Sequence, residues 1–308
     1  MNDITGKLLG IISEINPFKD DFKGAYNIRE DGQCAGRKSS EHIKIESKKD
    51  LPGLEIHIDS KAQGETVFIP ACVTHGAVDD LVYNDFFVGA GADVIIVAGC
   101  GVHTEDGHDS RHNGIHRFFL EEGAHVLYKE NHIGTGKGKG VRRIDPVTEA
   151  VLNEEAVLEM DTVQIGGVDS TIRKTNATLA ARARLVIHER ILTEREQQAK
   201  TDFSVILNGD DSAVDLVSRS VARDNSYQEY RSRIEGNCRC TGHSECDAIL
   251  AGNGRVNAAP ELLAANVDAS LIHEAAIGKI AGEQITKLRT LGLTEEEAER
   301  KIIEGFLK

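Results

Sequence analysis

The chain contains no tryptophan, only 5 prolines and 2 methionines, and aromatics make up 5% of it. A large soluble protein so poor in aromatics must fill its interior with many small aliphatic contacts, which stacked layers of Val, Ile, Leu and Ala supply. Six cysteines in 308 residues fall far below disulfide-scaffold density and predict reduced thiols. There is no long apolar run, so no membrane span is expected. The opening MNDITGKLLGIISEINPF shows no basic region followed by an apolar stretch, so no export signal is expected and a cytoplasmic location is the default. Clustered positive charge is missing too. The 50 acidic and 36 basic residues leave a net charge of −14, which argues against nucleic acid and suits a soluble chain that meets a basic partner face. A nucleotide-binding phosphate loop is also lacking. The stretch GTGKGKG at residues 134–140 has Lys139 where a Walker loop beginning at Gly134 needs glycine. Neither of its lysines precedes Ser or Thr, so it reads as a basic loop.

What the chain does have is strands. ITGKLLGIISEI places apolar residues near helical spacing and predicts a short N-terminal helix within a helical segment over 1–24. AYNIREDGQCAGRKSSEHIKIESKKD then predicts two strands around the turn dipeptide Asp31-Gly32. ADVIIVAG, AHVLYKE, AVLEMDTVQI, ARLVIHERIL, FSVILNG, AVDLVSRSVA and YRSRIEG follow as short runs that alternate in polarity or are rich in β-branched residues. A small residue followed by strand alternation recurs at Ala92, Ala124, Ala156, Ala183, Ala213 and Ala269. Such a period signals stacked units. With no long helical pattern between the anchors, a β-solenoid over 25–275 is favoured over a β-sandwich with similar strand lengths.

The chain ends differently. GEQITKLRTLGLTEEEAERKIIEGFLK aligns Ile285, Leu288 and Leu291 on one helical stripe, Gly292 stops that helix, and Thr294 with Glu297 forms a capping box for another. The second helix has Ala298, Ile302 and Ile303 on its apolar face. An antiparallel helical hairpin over 276–308 is expected to cap the solenoid, to offer a docking surface, or both.

Two segments concentrate metal-binding side chains. GCGVHTEDGHDSRHNGIHRF holds His103, His108, His112 and His116 beside Cys100, Glu105, Asp106 and Asp109. Imidazoles with carboxylates bind zinc or iron, but the spacing matches no established ligand motif, and a polar loop is the simpler reading. GNCRCTGHSECD packs Cys238, Cys240, His243 and Cys246 into nine positions. Four ligands so close would bend the backbone hard, so buried thiols are favoured over a self-contained zinc site. Cys238 and Cys240 would share one strand face, with Gly242 turning the chain before His243 and Cys246. Aligning Cys246-Asp247-Ala248-Ile249 with His273-Glu274-Ala275-Ala276 gives an offset of 27 residues, close to the repeat. Coils stack at about 4.8 Å, which would make Cys246 a near neighbour of His273 or Glu274. A thiolate, an imidazole and a carboxylate form an incomplete iron set, which suits a carrier that releases its metal.

GHSECDAILAG, LIHEAAIGKIAGEQITKLRTLGLTEEEAERKIIEGFL, RKTNATLAARARLVI and GDDSAVDLVSRSVARDNS closely resemble the SufB/SufD family, the scaffold proteins of the SUF iron–sulfur cluster assembly system. The resemblance covers roughly residues 60–308. It implies a right-handed parallel β-helix with a C-terminal helical region that docks a SufC-like ABC-type ATPase. It also implies a transient iron–sulfur cluster formed between paired protomers, a sulfur donor and recipient apoproteins. Cys246 falls on the family's Cys, and His273 with Glu274 on its His-Glu-Ala motif. SufB-type members supply the Cys and Glu, SufD-type members the His. A chain carrying all three resembles a single-gene form that serves both roles as a homodimer, although it is shorter than long family members and matches no N-terminal cysteine motif. The expectation is therefore a cytoplasmic scaffold and not an enzyme. Cys246, His273 and Glu274 are its leading ligands, with Cys240, His243, His103, His108 and His112 behind them. The alternatives are a metal-dependent β-helix enzyme built on the segment from His103 to His116, and a purely structural partner of the ATPase.

Overall fold

The computed structural model describes residues 1–13 and 24–308; the remainder of the expected helical segment over 1–24 lies outside the described residues. Strands β1 (Ala25–Glu30), β2 (Gln33–Lys38), β5 (Gln63–Val73), β7 (Asp93–His103), β9 (His125–Thr135), β12 (Val157–Ile165), β14 (Arg184–Thr193), β16 (Ser212–Ala222), β18 (Cys240–Leu250) and β20 (Ala269–Gly278) form one sheet. It runs in the order β2-β1-β5-β7-β9-β12-β14-β16-β18-β20. The facing sheet holds β3 (Ile43–Ser47), β4 (Gly53–Ile58), β6 (Asp79–Val88), β8 (Ser110–Leu120), β10 (Arg142–Ile144), β11 (Val147–Leu152), β13 (Ser170–Leu179), β15 (Gln198–Leu207), β17 (Tyr227–Gly236) and β19 (Arg255–Ala264). From β5 onward each coil adds a parallel strand to each sheet, split in one coil into the short strands β10 and β11 between β8 and β13, making a β-solenoid of about eight turns. The Asp31-Gly32 turn joins β1 and β2 as expected, with φ of 48° and 79°. The left-handed conformation at both positions matches the twist of a tight hairpin.

The alanine anchors are the corners of the coils. Ala92, Ala124, Ala156, Ala183 and Ala269 each donate a backbone hydrogen bond to the carbonyl three residues earlier. A left-handed residue precedes several of them, among them Gly91 and Gly123 with φ of 69° and 65°, where glycine adopts that turn without a Cβ clash. The register corrects one anchor and supplies another. Ser212, not Ala213, turns the fifth corner, and Cys240 stands in the ladder between Ser212 and Ala269. Small side chains fill this column, Cys240 among them at 3% exposure.

Helices α1 (Asp3–Ile12), α2 (Gly282–Thr290) and α3 (Glu295–Phe306) complete the described chain. Leu8, Leu9 and Ile12 of α1 pack with Ile28 and Cys72, each buried apolar side chain contributing about 1.5–3 kcal/mol. The helix approaches closely because β7 presents Gly99 and Gly101, where a Cβ would lie 3.1 Å from Ile12 Cβ and 2.8 Å from a Leu8 methyl. The Thr294–Glu297 capping box forms as expected, and α3 buries Ala298 and Ile303. The cap reading is corrected. Ile303 and Leu307 pack on Val221, with Leu192 and Ile249 alongside. These residues follow one another outward across β14, β16 and β18, so the helix covers the flank of the solenoid and not its end. Among the described residues no helix is long and apolar enough to cross a membrane.

Candidate functional site

The strand pattern separates the predicted site residues into two faces. β18 begins at Cys240 and runs through Gly242, so Gly242 does not turn the chain as expected; the corner falls at Cys238-Arg239. Gly242 points inward, where a Cβ would lie 2.7 Å from Leu271 and 2.9 Å from Ile234. Along β18, Cys240, Ser244 and Cys246 face the interior while His243 and Glu245 face out. Cys238 is buried at the corner, its thiol 3.0 Å from the Gly209 carbonyl.

The expected 27-residue offset is also corrected. β18 and β20 pair with a 29-residue shift, placing Cys246 opposite Ala275, His273 opposite Ser244, and Glu274 opposite Glu245. The 27-residue step belongs to the coil between β12 and β14. Because the correction is two residues, Cys246 and His273 keep the same interior side as diagonal neighbours. Glu274, one residue on, points to the outer face. Cys246 is 1% exposed, and burial pushes its thiol up to about 12, with Glu189 and Asp247 adding to the effect. His273 Nδ1 is buried without a hydrogen-bond partner, a lone pair or N–H directed into the interior with nothing to satisfy it.

Cys246 also ends a polar column that the alternation pattern did not disclose. Glu130, Thr162, Glu189, Ser218 and Cys246 occupy one inward position on successive strands β9, β12, β14, β16 and β18. Arg173 of β13 lies between the two carboxylates, with Nη1 2.6 Å from Glu130 and Nε 3.2 Å from Glu189. Glu189 accepts from Thr201 at 2.9 Å and from Ser218 at 2.8 Å. Tyr128 donates to Glu130 at 2.7 Å, and His116 Nδ1 meets the Tyr128 hydroxyl at 2.7 Å. Burial opposes the charge on Glu130, but His132 and Arg173 hold its carboxyl well below the usual carboxylate range. Burial instead pushes Glu189 up. Near the far end, Ser244 bonds to Tyr230 and Ser232, both at 2.9 Å. The available signal was polar residues recurring at the repeat spacing inside strand runs.

The histidine segment is a strand, not a loop, from Ser110 onward. His112 and His116 point inward on β8, and His112 Nδ1 lies 3.0 Å from Asp80 Oδ2. Burial drives the His116 pKa down to about 4. His103 bonds to Thr135 at 2.9 Å, whereas His108 is exposed beside Asp106. His112 and His116 line one small interior cavity with Cys100, their Nε2 atoms both directed toward Gly114, whereas His103 and His108 lie apart from them with Thr135 and Asp106. The glycine-rich stretch is not a free loop either. Gly138 and Gly140 donate to the Thr104 and Asp106 carbonyls at 3.0 and 3.2 Å, and Cβ atoms there would lie 2.3 and 1.9 Å from backbone oxygens.

The fold and the site define a β-solenoid whose last two coils hold a buried thiol and an unpartnered imidazole on one interior side. The family model for the SUF system FeS cluster assembly SufBD core domain matches residues 83–306, and the chain belongs to that family. It is 29% identical over 256 residues to an iron–sulfur cluster assembly SufBD family protein of Methanothermobacter thermautotrophicus, covering 81% of this chain and 61% of the relative. A second relative, from Archaeoglobus fulgidus, is 26% identical over 263 residues, or 84% of this chain and 67% of its own length. A third, from Pyrococcus horikoshii, is 30% identical over 207 residues, or 65% and 60%. The chain thus spans about three fifths of the length of the first of these relatives.

Proposed function

We propose that the protein is an iron–sulfur cluster assembly scaffold, acting by holding and releasing a labile cluster and not by turnover of its own. Iron, sulfide and the cluster are its cargo. The observation that carries this reading is the placement of Cys246 and His273 on one interior side of the last two coils, with His273 Nδ1 unsatisfied. Sulfur and imidazole donors of this kind suit iron. The interior residues Leu262 and Ile277 of the terminal coil are 37% and 40% exposed, so this end suits pairing with a second copy, which would bring further ligands to the cargo. Metal binding requires the Cys246 thiolate, and the thiol is buried, so loading and release need the terminal coil to open. A SufC-like ABC-type ATPase docked on residues 276–308 would drive that step. In its support, α2 has no buried residue and Leu291 is 74% exposed. A sulfur donor and apoprotein recipients complete the partners, and the location is cytoplasmic.

Anaerobic reconstitution with iron and sulfide tests the reading. The wild-type chain, alone or with its ATPase, should develop sulfide-to-iron charge-transfer absorption. Its absence in both preparations would overturn the scaffold role and leave a structural partner of the ATPase.

A further inference from the structure

The outer face of the same two strands carries a second set of donors. Alternation directs His243 and Glu245 of β18 outward, and the register sets Glu274 of β20 directly beside Glu245. Ligand atoms of His243, Glu245 and Glu274 all lie within 4.8 Å of one another, and His243 Nε2 is 3.8 Å from Glu274 Oε2.

Two features distinguish this trio from an ordinary charged surface. Carboxylates directly opposite on neighbouring strands repel, and elsewhere the outer face neutralises such charges between coils. Asp161 pairs with Arg190, and Arg233 pairs with Glu261; His125 also sits between two carboxylates, Asp93 and Glu159, but there the carboxylates are not directly opposite each other on paired strands. Among the described residues neither Glu245 nor Glu274 has a Lys or Arg ion pair; Glu274 meets only His243. The second feature is the orientation of the imidazole. Asp215, one coil earlier on β16, lies opposite His243 with Oδ1 2.8 Å from Nδ1. With Nδ1–H donating to that carboxylate, Nε2 presents its lone pair toward the two glutamates. A carboxylate behind an imidazole is the arrangement that fixes the tautomer and ring direction of metal-binding histidines. Glu274 is 69% exposed, so the outer side stays open for water or an incoming ligand.

We propose that His243, Glu245 and Glu274 form a mononuclear site for a divalent first-row transition metal, oriented by Asp215 and separate from the Cys246 thiol. The donor set of one imidazole and two carboxylates suits such an ion in a three-ligand site with open positions. The identity of the ion as iron(II) rests on the proposed assembly role; the site itself does not. A metal held here shares strands with Cys246 and His273 but none of their donor atoms.

Anaerobic titration of the full chain with Co2+, read by visible absorption and equilibrium dialysis, tests the site. One ion should bind per chain without a thiolate-to-cobalt charge-transfer band, and Cys246→Ala should leave binding unchanged. The combined Glu245→Gln and Glu274→Gln variant should lose the ion. Asp215→Asn should weaken it by about 10–100-fold. Circular dichroism should show both variants folded, since the changes lie on the outer surface. Excess Fe2+ should compete with the bound Co2+ for the same site, Co2+ being the tighter-binding ion for such a donor set. Undiminished binding in the double glutamine variant, or a charge-transfer band abolished by Cys246→Ala, would overturn the site. Intact Co2+ binding in a chain that assembles no cluster would support the site while removing the assembly role, so the two fail separately.

Discussion

At the N-terminal end of the solenoid both sheets finish in short antiparallel strands, β2 of 6 residues on β1 and β3 of 5 on β4. At the C-terminal end they finish in β19 and β20, parallel strands of 10 residues each that, among the described residues, have no further strand beside them. Long exposed edges are templates for pairing with another chain, so the two ends invite different uses. The helices do not remove the asymmetry. Helix α1 covers the outward positions Cys72 and Ile133, and α3 covers Leu192, Val221 and Ile249. Register links these residues across the same sheet, with Ile165 between them left 44% exposed. Helices go where an apolar outer row needs cover. The end left open is where the polar interior approaches the surface.

Removing one partner from the buried charge column should give the largest difference between deep interior and open end. Arg173→Leu leaves Glu130 buried without its guanidinium and should lower unfolding free energy by about 3–5 kcal/mol. His273→Ala, in the terminal coil, should stay within about 0.5 kcal/mol; denaturant titration measures both. The helices should differ similarly. Leu9→Ala should cost about 2–5 kcal/mol by opening a cavity under α1, whereas Leu291→Ala on α2 should change stability by less than about 0.5 kcal/mol.

Acid should act on the interior before it acts on the open end. The folded pKa of His116 is depressed to about 4 by burial, so below the unfolded value near 6.5 the unfolded chain binds the extra proton. Its contribution is fully present above that value and falls by up to about 1.4 kcal/mol per unit as pH drops toward 4. His116→Gln should flatten this part of the stability profile. The smallest effect concerns thiols. Cys34 is exposed and the other five cysteines are buried, so brief treatment with a thiol reagent should modify Cys34 alone, and all six in denaturant.

The architecture was legible because small buried corner residues such as Ala92, Ala124 and Ala156 recur once per coil and so mark the period. The site was less legible. Coil length varies, with steps of 27, 28, 29 and 32 residues between paired positions, and a step borrowed from the wrong coil displaced Cys246 by two places. The side of the strand survived because the error was even; the partner did not. The column of Glu130, Arg173 and Glu189 was hidden for a different reason. Strand recognition assumes that inward positions are apolar, and these inward charges are tolerated only because they meet one another. Gly242, read as a turn, is instead a position where neighbouring coils leave no room for a Cβ.

The central claim is that the open end, not the covered one, holds the cluster. Iron and sulfide bound per chain after anaerobic reconstitution should be compared for Cys246→Ala and Cys72→Ala, buried thiols from opposite ends of the solenoid. The account predicts that Cys72→Ala retains the wild-type cluster content and Cys246→Ala loses it. Equal retention by both variants would contradict it.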